Sequence, residues 1–227
     1  MQRLRVRFAR RGRLRFTSHR DFQRAFERAL RRARVPVAYS QGFSPHPKVS
    51  YAGAVPTGAA SEAEYLDLSV TRTCEPSAVA AALDEALPPG LDVLTVVEAG
   101  PESLADLLQA SEWDVRLSAV DPAALRLAVA RFLEQTSVEV ERMTKSGVRT
   151  LDARAAVVRL EAGEDEPVLR AVVRHVTPTV RPEDVLRGLR QVGDLPEAAH
   201  QSTRLGQGPL DEASGTVSDP LVPSGRA

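Results

Sequence analysis

One cysteine, Cys74, is all the thiol that this 227-residue chain carries. A lone thiol excludes an intramolecular disulfide, and it excludes an iron–sulfur cluster built from the cysteines of one chain. Long apolar runs are missing too. None approaches the roughly 18 residues that a membrane span needs. The arginine-rich N-terminus lacks an apolar core of about 7–15 residues, so it does not read as a secretory signal. The four histidines are scattered without metal-ligand spacing. Neither a Walker-type phosphate loop nor G-x-G-x-x-G occurs. The expectation is a soluble, cytoplasmic protein with no membrane partner, no metal site and no cofactor.

Net charge is lacking as well, because 30 Lys and Arg offset 30 Asp and Glu. That balance hides a segregation. Residues 1–34 hold thirteen Arg against Asp21 and Glu27, whereas residues 60–114 hold twelve acids against Arg72 alone. Either the two stretches face each other, or the basic one meets an external polyanion.

The N-terminal QRLRVRFARRGRLRFT alternates, with Leu4, Val6 and Phe8 on one side and Arg3, Arg5 and Arg7 on the other. It predicts a β-hairpin, or a bent strand, with one apolar and one cationic face. SHRDFQRAFERALRRAR, residues 18–34, then predicts a helix capped by Ser18, with Asp21 at its third position. At about 100° per residue, Phe22, Phe26, Ala29, Leu30 and Ala33 gather on one side, and Arg20, Arg24, Arg28 and Arg31 lie nearly opposite. Val35-Pro36 ends it.

YSQGFSPHPKVSYAGAVPTG has too many helix and strand breakers for a regular element and reads as a shaped loop around a short strand near 49–52. EAEYLDLSV alternates as a strand. A helix opens at Pro76 and LDVLTVVEA is again a strand. The second half repeats this order: a strand around Trp113, a helix after Asp121-Pro122, strands at 138–144, 155–161 and 168–176, and a last helix from Pro182. The expected fold is α+β, with two tandem ferredoxin-like (βαββαβ-type) domains over 1–100 and 101–195. Residues 196–227, rich in Gly, Ser and Pro, read as a mostly disordered, flexible tail that could still hold a loose hairpin.

Closely spaced phosphates are what an arginine row at i, i+4, i+8 and i+11 can follow, and the planar guanidinium binds phosphate through two hydrogen bonds. Arg24, Arg28 and Arg31 are therefore the leading RNA-contact candidates, with Arg5, Arg7 and Lys48 behind them. Lys145 and Arg149, in the polar link KSGVRTLDAR, are further phosphate candidates. The plain alternative for the helix is a solvated face neutralised by the acidic stretch. His19 and His46 are the weak acid–base candidates near this surface, since imidazole titrates near neutrality. His46 equally shapes a loop between two prolines.

FTSHRDFQRAFERALRRARVPVAYSQGFSPHPKVSYAGAVPTGAASEAEYLDL resembles the DUF2344 family of bacterial radical-SAM-linked proteins through its SH.D, GF.PHP and SEAEYLDL blocks. Arg20 and Phe22 stand where that family tends to have leucines. The resemblance spans roughly residues 2–195 and implies association with a radical-SAM protein, but it brings no reaction with it. A radical-SAM core needs three cysteines for its cluster, and this chain has Cys74 alone. The leading expectation is therefore a non-catalytic accessory module that holds an RNA, a tRNA or rRNA, by its arginine face and presents it to a separate radical-SAM enzyme. The alternatives are a protein-facing adaptor without RNA binding and a metal-independent endoribonuclease.

Overall fold

The computed structural model describes residues 1–144 and 147–222. The chain divides into two units, one of residues 1–108 joined by the segment from Asp219 onward, the other Gln109–Ser218. Both combine helices with antiparallel sheet, as an α+β protein does.

In the first unit β1 (Gln2–Arg10) is followed by α1 (His19–Arg32), β2 (Val49–Ala52) and β3 (Ala60–Val70). Then come α2 (Pro76–Ala86), β4 (Leu91–Glu98) and the single turn α3 (Leu104–Leu107). The sheet runs β4-β1-β3, β2 also pairs with β3, and all these pairings are antiparallel. Leu4, Val6 and Phe8 of β1 join Leu66, Leu68 and Val70 of β3 in a core closed by Phe22, Phe26 and Leu30 of α1 and by Val79 and Leu83 of α2. Phe22 stacks on Phe8 with ring centres 4.7 Å apart, which fixes the helix on the sheet by aromatic contact as well as by area.

Two expectations change here. Residues 2–17 form no hairpin: β1 ends at Arg10, and Gly12–Phe16 is a 3-10 turn. Gly12 takes a positive φ of 54°, and the buried Arg10 guanidinium donates to the carbonyls of Leu14 and Thr17, which holds the chain in a turn. Residues 101–108, expected in the second domain, belong to the first unit. Leu104 and Leu108 pack on Ala63 and Tyr65 of β3, on the sheet face opposite the main core.

The second unit contains β5 (Ala110–Leu117), α4 (Pro122–Glu134), β6 (Glu139–Thr144), β7 (Gly147–Asp152) and the turn α5 (Ala153–Ala156). It continues with β8 (Val157–Ala162), β9 (Val168–Arg174), α6 (Pro182–Gly193) and β10 (His200–Gly208). The strand order is β10-β5-β9-β8, antiparallel, while β6 and β7 form a separate hairpin. Helices α4 and α6 approach closely through glycine. A Cβ on Gly188 would come within 2.8 Å of the Phe132 ring.

The flexible tail is the third correction. Its first half is β10, a nine-residue strand paired with β5 from His200 opposite Leu117 to Gly208 opposite Ala110. Ser202, Arg204 and Gln207 are buried in it. Sequence composition misleads because this strand is held by its backbone ladder and by buried polar and small residues, not by a stripe of large apolar ones.

Candidate nucleic-acid interface

Helix α1 begins where the capping chemistry says it should. The Ser18 hydroxyl oxygen accepts from the Asp21 amide at 3.2 Å, and the Asp21 carboxylate accepts from the same hydroxyl at 2.7 Å. The register so set turns Phe22, Phe26, Ala29 and Leu30 inward, all buried. Arg20, Arg24, Arg28 and Arg31 are exposed. Arg24 stands 3.9 Å from Asp21 on its own helix. No hydrogen bond or ion pair engages the Arg20, Arg28 or Arg31 side chain among the described residues. Arg32, past this row, is tied to the Ala86 carbonyl at the end of α2.

The arginines of β1 are placed differently. Arg5 is 3% exposed and forms a two-pronged pair with Asp67, 2.8 and 3.1 Å, with a further bond to the Glu102 carbonyl at 2.9 Å. Arg7 donates to the Glu62 carbonyl at 2.9 Å and to the Asp219 carboxylate at 2.7 Å. Arg3 donates to the Gly100 carbonyl. At Arg5 and Arg7 the cationic face of the strand is thus covered by α3 and by the chain segment around Asp219, while Arg3 at its end is exposed. Arg5 is removed from the RNA-contact set, and Arg7 is half-buried and engaged. The reason is one of register: Arg5 faces Asp67 across the β1–β3 ladder, so the opposite charges meet inside the fold.

Just beyond β1, Arg11 bridges Glu62 and Asp92. The hydrogen bond to Glu62, more than that to Asp92, raises the pKa of its guanidinium above the ordinary value. The acidic stretch is therefore matched to β1 and its turn. The helix arginines are left without it.

Lys48 is exposed at the start of β2, beside a groove of about 370 Å³ lined by Arg3, Ser50, Ser69 and Ser103. Arg149 is exposed on β7, opposite Arg142, whose own guanidinium is held by the buried Asp184 at 2.6 Å. Lys145 lies outside the described residues. Asp152 caps α5 and accepts from the Ala155 and Val138 amides, both at 3.1 Å. Burial works to raise its pKa, but these amide bonds outweigh it and hold the carboxyl below the usual range.

His19 meets the Tyr51 ring edge-on at 5.2 Å. The space it shares with Tyr51, Glu64 and Tyr65 is about 10 Å³, room for no more than a water. His46 shares a 2.9 Å hydrogen bond with the Ser40 hydroxyl and so helps to close a loop. The two histidines share no hydrogen bond or ring contact among the described residues, and the space beside His19 does not fit a nucleotide. No group of three or more His, Cys, Asp or Glu side chains among the described residues is placed to hold a metal ion.

Sequence reasoning passed over two aromatics in the breaker-rich loop. Phe43 is fully exposed and Tyr39 is 48% exposed. For Phe43 the signal was its place between Gly42 and Pro45, where neither a helix nor a strand could turn it inward.

These features define the class: a two-unit α+β protein whose open cationic surface is one face of an N-terminal helix. The profile of a family described as uncharacterized proteins conserved in bacteria, DUF2344, matches residues 3–182. The chain belongs to that family. No curated protein matches it. Among solved structures it is similar to an unknown protein from Galdieria sulphuraria, with 14% identity, over 89% of this chain and 98% of that chain, at a TM-score of 0.28. No helix among the described residues is long and apolar enough to cross a membrane.

Proposed function

We propose that this chain is an RNA-binding accessory module that holds its RNA on the arginine face of α1 and hands it to a separately encoded radical-SAM enzyme. One observation carries the reading. Arg5, Arg7 and Arg11 are paired with Asp67, Asp219, Glu62 and Asp92, whereas Arg20, Arg28 and Arg31 remain exposed without an internal side-chain partner among the described residues. Together with Arg24 they form an exposed row, three or four residues apart, on a helix packed through Phe22 and Phe26, and such a row suits a phosphate backbone. The enzyme partner comes from the family resemblance alone. On the same terms we read each unit as ferredoxin-like: β4-β1-β3-β2 and β10-β5-β9-β8 share one strand order, and the β6–β7 hairpin is an insertion in the second.

Binding of purified protein to an RNA oligonucleotide across a salt series tests the RNA reading. The logarithm of the affinity should fall linearly with the logarithm of salt concentration, and the Arg24→Glu/Arg28→Glu/Arg31→Glu variant should lose binding while it stays folded. Unchanged affinity in that variant overturns the assignment. Absence of binding at low salt also overturns it, in favour of an acidic protein as the partner of the helix.

A further inference from the structure

Between α1 and β2 the chain makes a loop whose neck is closed and whose tip is aromatic. Tyr39 and Pro47 pair across the neck. The Ser40 amide donates to the His46 carbonyl at 2.9 Å, the His46 amide donates to the Ser40 hydroxyl at 3.1 Å, and the Lys48 amide donates to the Ala38 carbonyl at 2.7 Å. Gly42, at a φ of 128°, turns the chain at the tip. Phe43 follows directly and is fully exposed, with no ring or cation contact among the described residues. Phe16 makes the contrast: one face of its ring is covered by the Arg15 guanidinium at 4.5 Å. Cations flank the loop on both sides. Arg34, exposed at the end of the helix row, is five residues before Tyr39, which keeps the two backbones within about 18 Å. Lys48 is five residues past Phe43 and is exposed without a side-chain partner among the described residues.

An open aromatic ring on a braced loop, between cations, is what an unpaired base requires. Duplex RNA keeps its bases stacked inside and offers a ring of this kind nothing to stack on, whereas a single strand turns bases outward between its phosphates. We infer that the protein takes single-stranded RNA, with a base stacked on Phe43, a second beside Tyr39, and the phosphates between them and α1 met by Lys48 and Arg34. This rests on the RNA reading above and narrows it to a substrate class. The loop contributes affinity without sequence preference, because every base has a π-face.

The test uses a 12-nucleotide oligouridylate and a blunt RNA duplex of equal length, with the wild type, Phe43→Ala, Phe43→Trp and the triple helix variant. Expected are tighter binding of the single strand, a loss of about tenfold or more for Phe43→Ala on that strand, and an unchanged salt slope. Phe43→Ala should bind the duplex as the wild type does. Phe43→Trp should keep affinity, and its emission should be quenched by the oligouridylate; the chain's own tryptophan, Trp113, is buried and serves as the reference. A Phe43→Ala protein that binds the single strand like the wild type, or a wild type that prefers the duplex, overturns the inference while leaving the RNA reading intact. Failure of both RNAs to bind at low salt overturns both. Phe43 is fully exposed, so a folding defect is not expected, and an unaltered thermal midpoint checks this.

Discussion

Arg5 and Arg28 come from the same basic stretch, yet one is enclosed and the other stands in solvent. Arg5 sits on a central strand whose other face is already in the core, so its side chain enters the second face of the sheet, where Asp67, the Glu102 carbonyl and α3 surround it. Arg28 sits on a helix, which buries only one stripe. A helix at the surface leaves its far side to water, and a central strand has no far side once both faces are covered. Arg5 and Arg11 thus find partners in the acidic stretch, at Asp67, Glu62 and Asp92, and no ion pair joins that stretch to α1 among the described residues.

Substitutions at the two sets separate them, the largest effect first. Phe26→Ala, on the buried stripe of α1, should cost about 3–5 kcal/mol through the cavity it leaves, and RNA affinity should drop with the folded fraction only. Arg5→Ala removes one half of a buried pair and leaves the Asp67 carboxylate only the more distant and exposed Arg3, at 3.9 Å, which should lower stability by about 3 kcal/mol in chemical denaturation. A loss below about 1 kcal/mol would mean that water reaches Asp67 and that the contrast with Arg28 is one of degree. Ser18→Ala removes the cap and should cost about 1 kcal/mol, while Ser18→Asp should restore it. Denaturation curves for the three proteins check this.

Arg11→Ala tests the middle of the range. Its pairs with Glu62 and Asp92 are at the surface, so stability should fall by no more than about 1 kcal/mol, and less at high salt. Smallest of all in stability is Arg28→Ala, expected within about 0.5 kcal/mol of the wild type. Its signature is in binding: the slope of log affinity against log salt for a single strand should flatten by about 0.7. An Arg28→Ala protein with an unchanged slope and an Arg7→Ala protein with a flatter one would reverse the comparison.

Much of the fold was legible in the chain. The helix α1, its Ser18 cap and its buried and exposed faces followed from spacing alone, because local hydrogen bonds and the 3.6-residue period decide them. The order of strands and helices in the first half was legible for the same reason. The N-terminal alternation was read as a hairpin or a bent strand running to residue 17, since a period of two does not say where pairing stops; Arg10, reaching forward to the carbonyls of Leu14 and Thr17, stops it. Strand β10 was missed because its partners, not its own side chains, make it a strand.

For the site, the leading trio Arg24, Arg28 and Arg31 stands exposed as expected, and Arg5 does not. Both sets looked alike in sequence: alternating or periodic arginines opposite apolar residues. By itself the sequence determined which residues share a face, since that depends only on the backbone repeat. Which face meets water was decided by the tertiary structure, because it depends on what α3 and the segment around Asp219, more than two hundred residues from Arg7, bring against it.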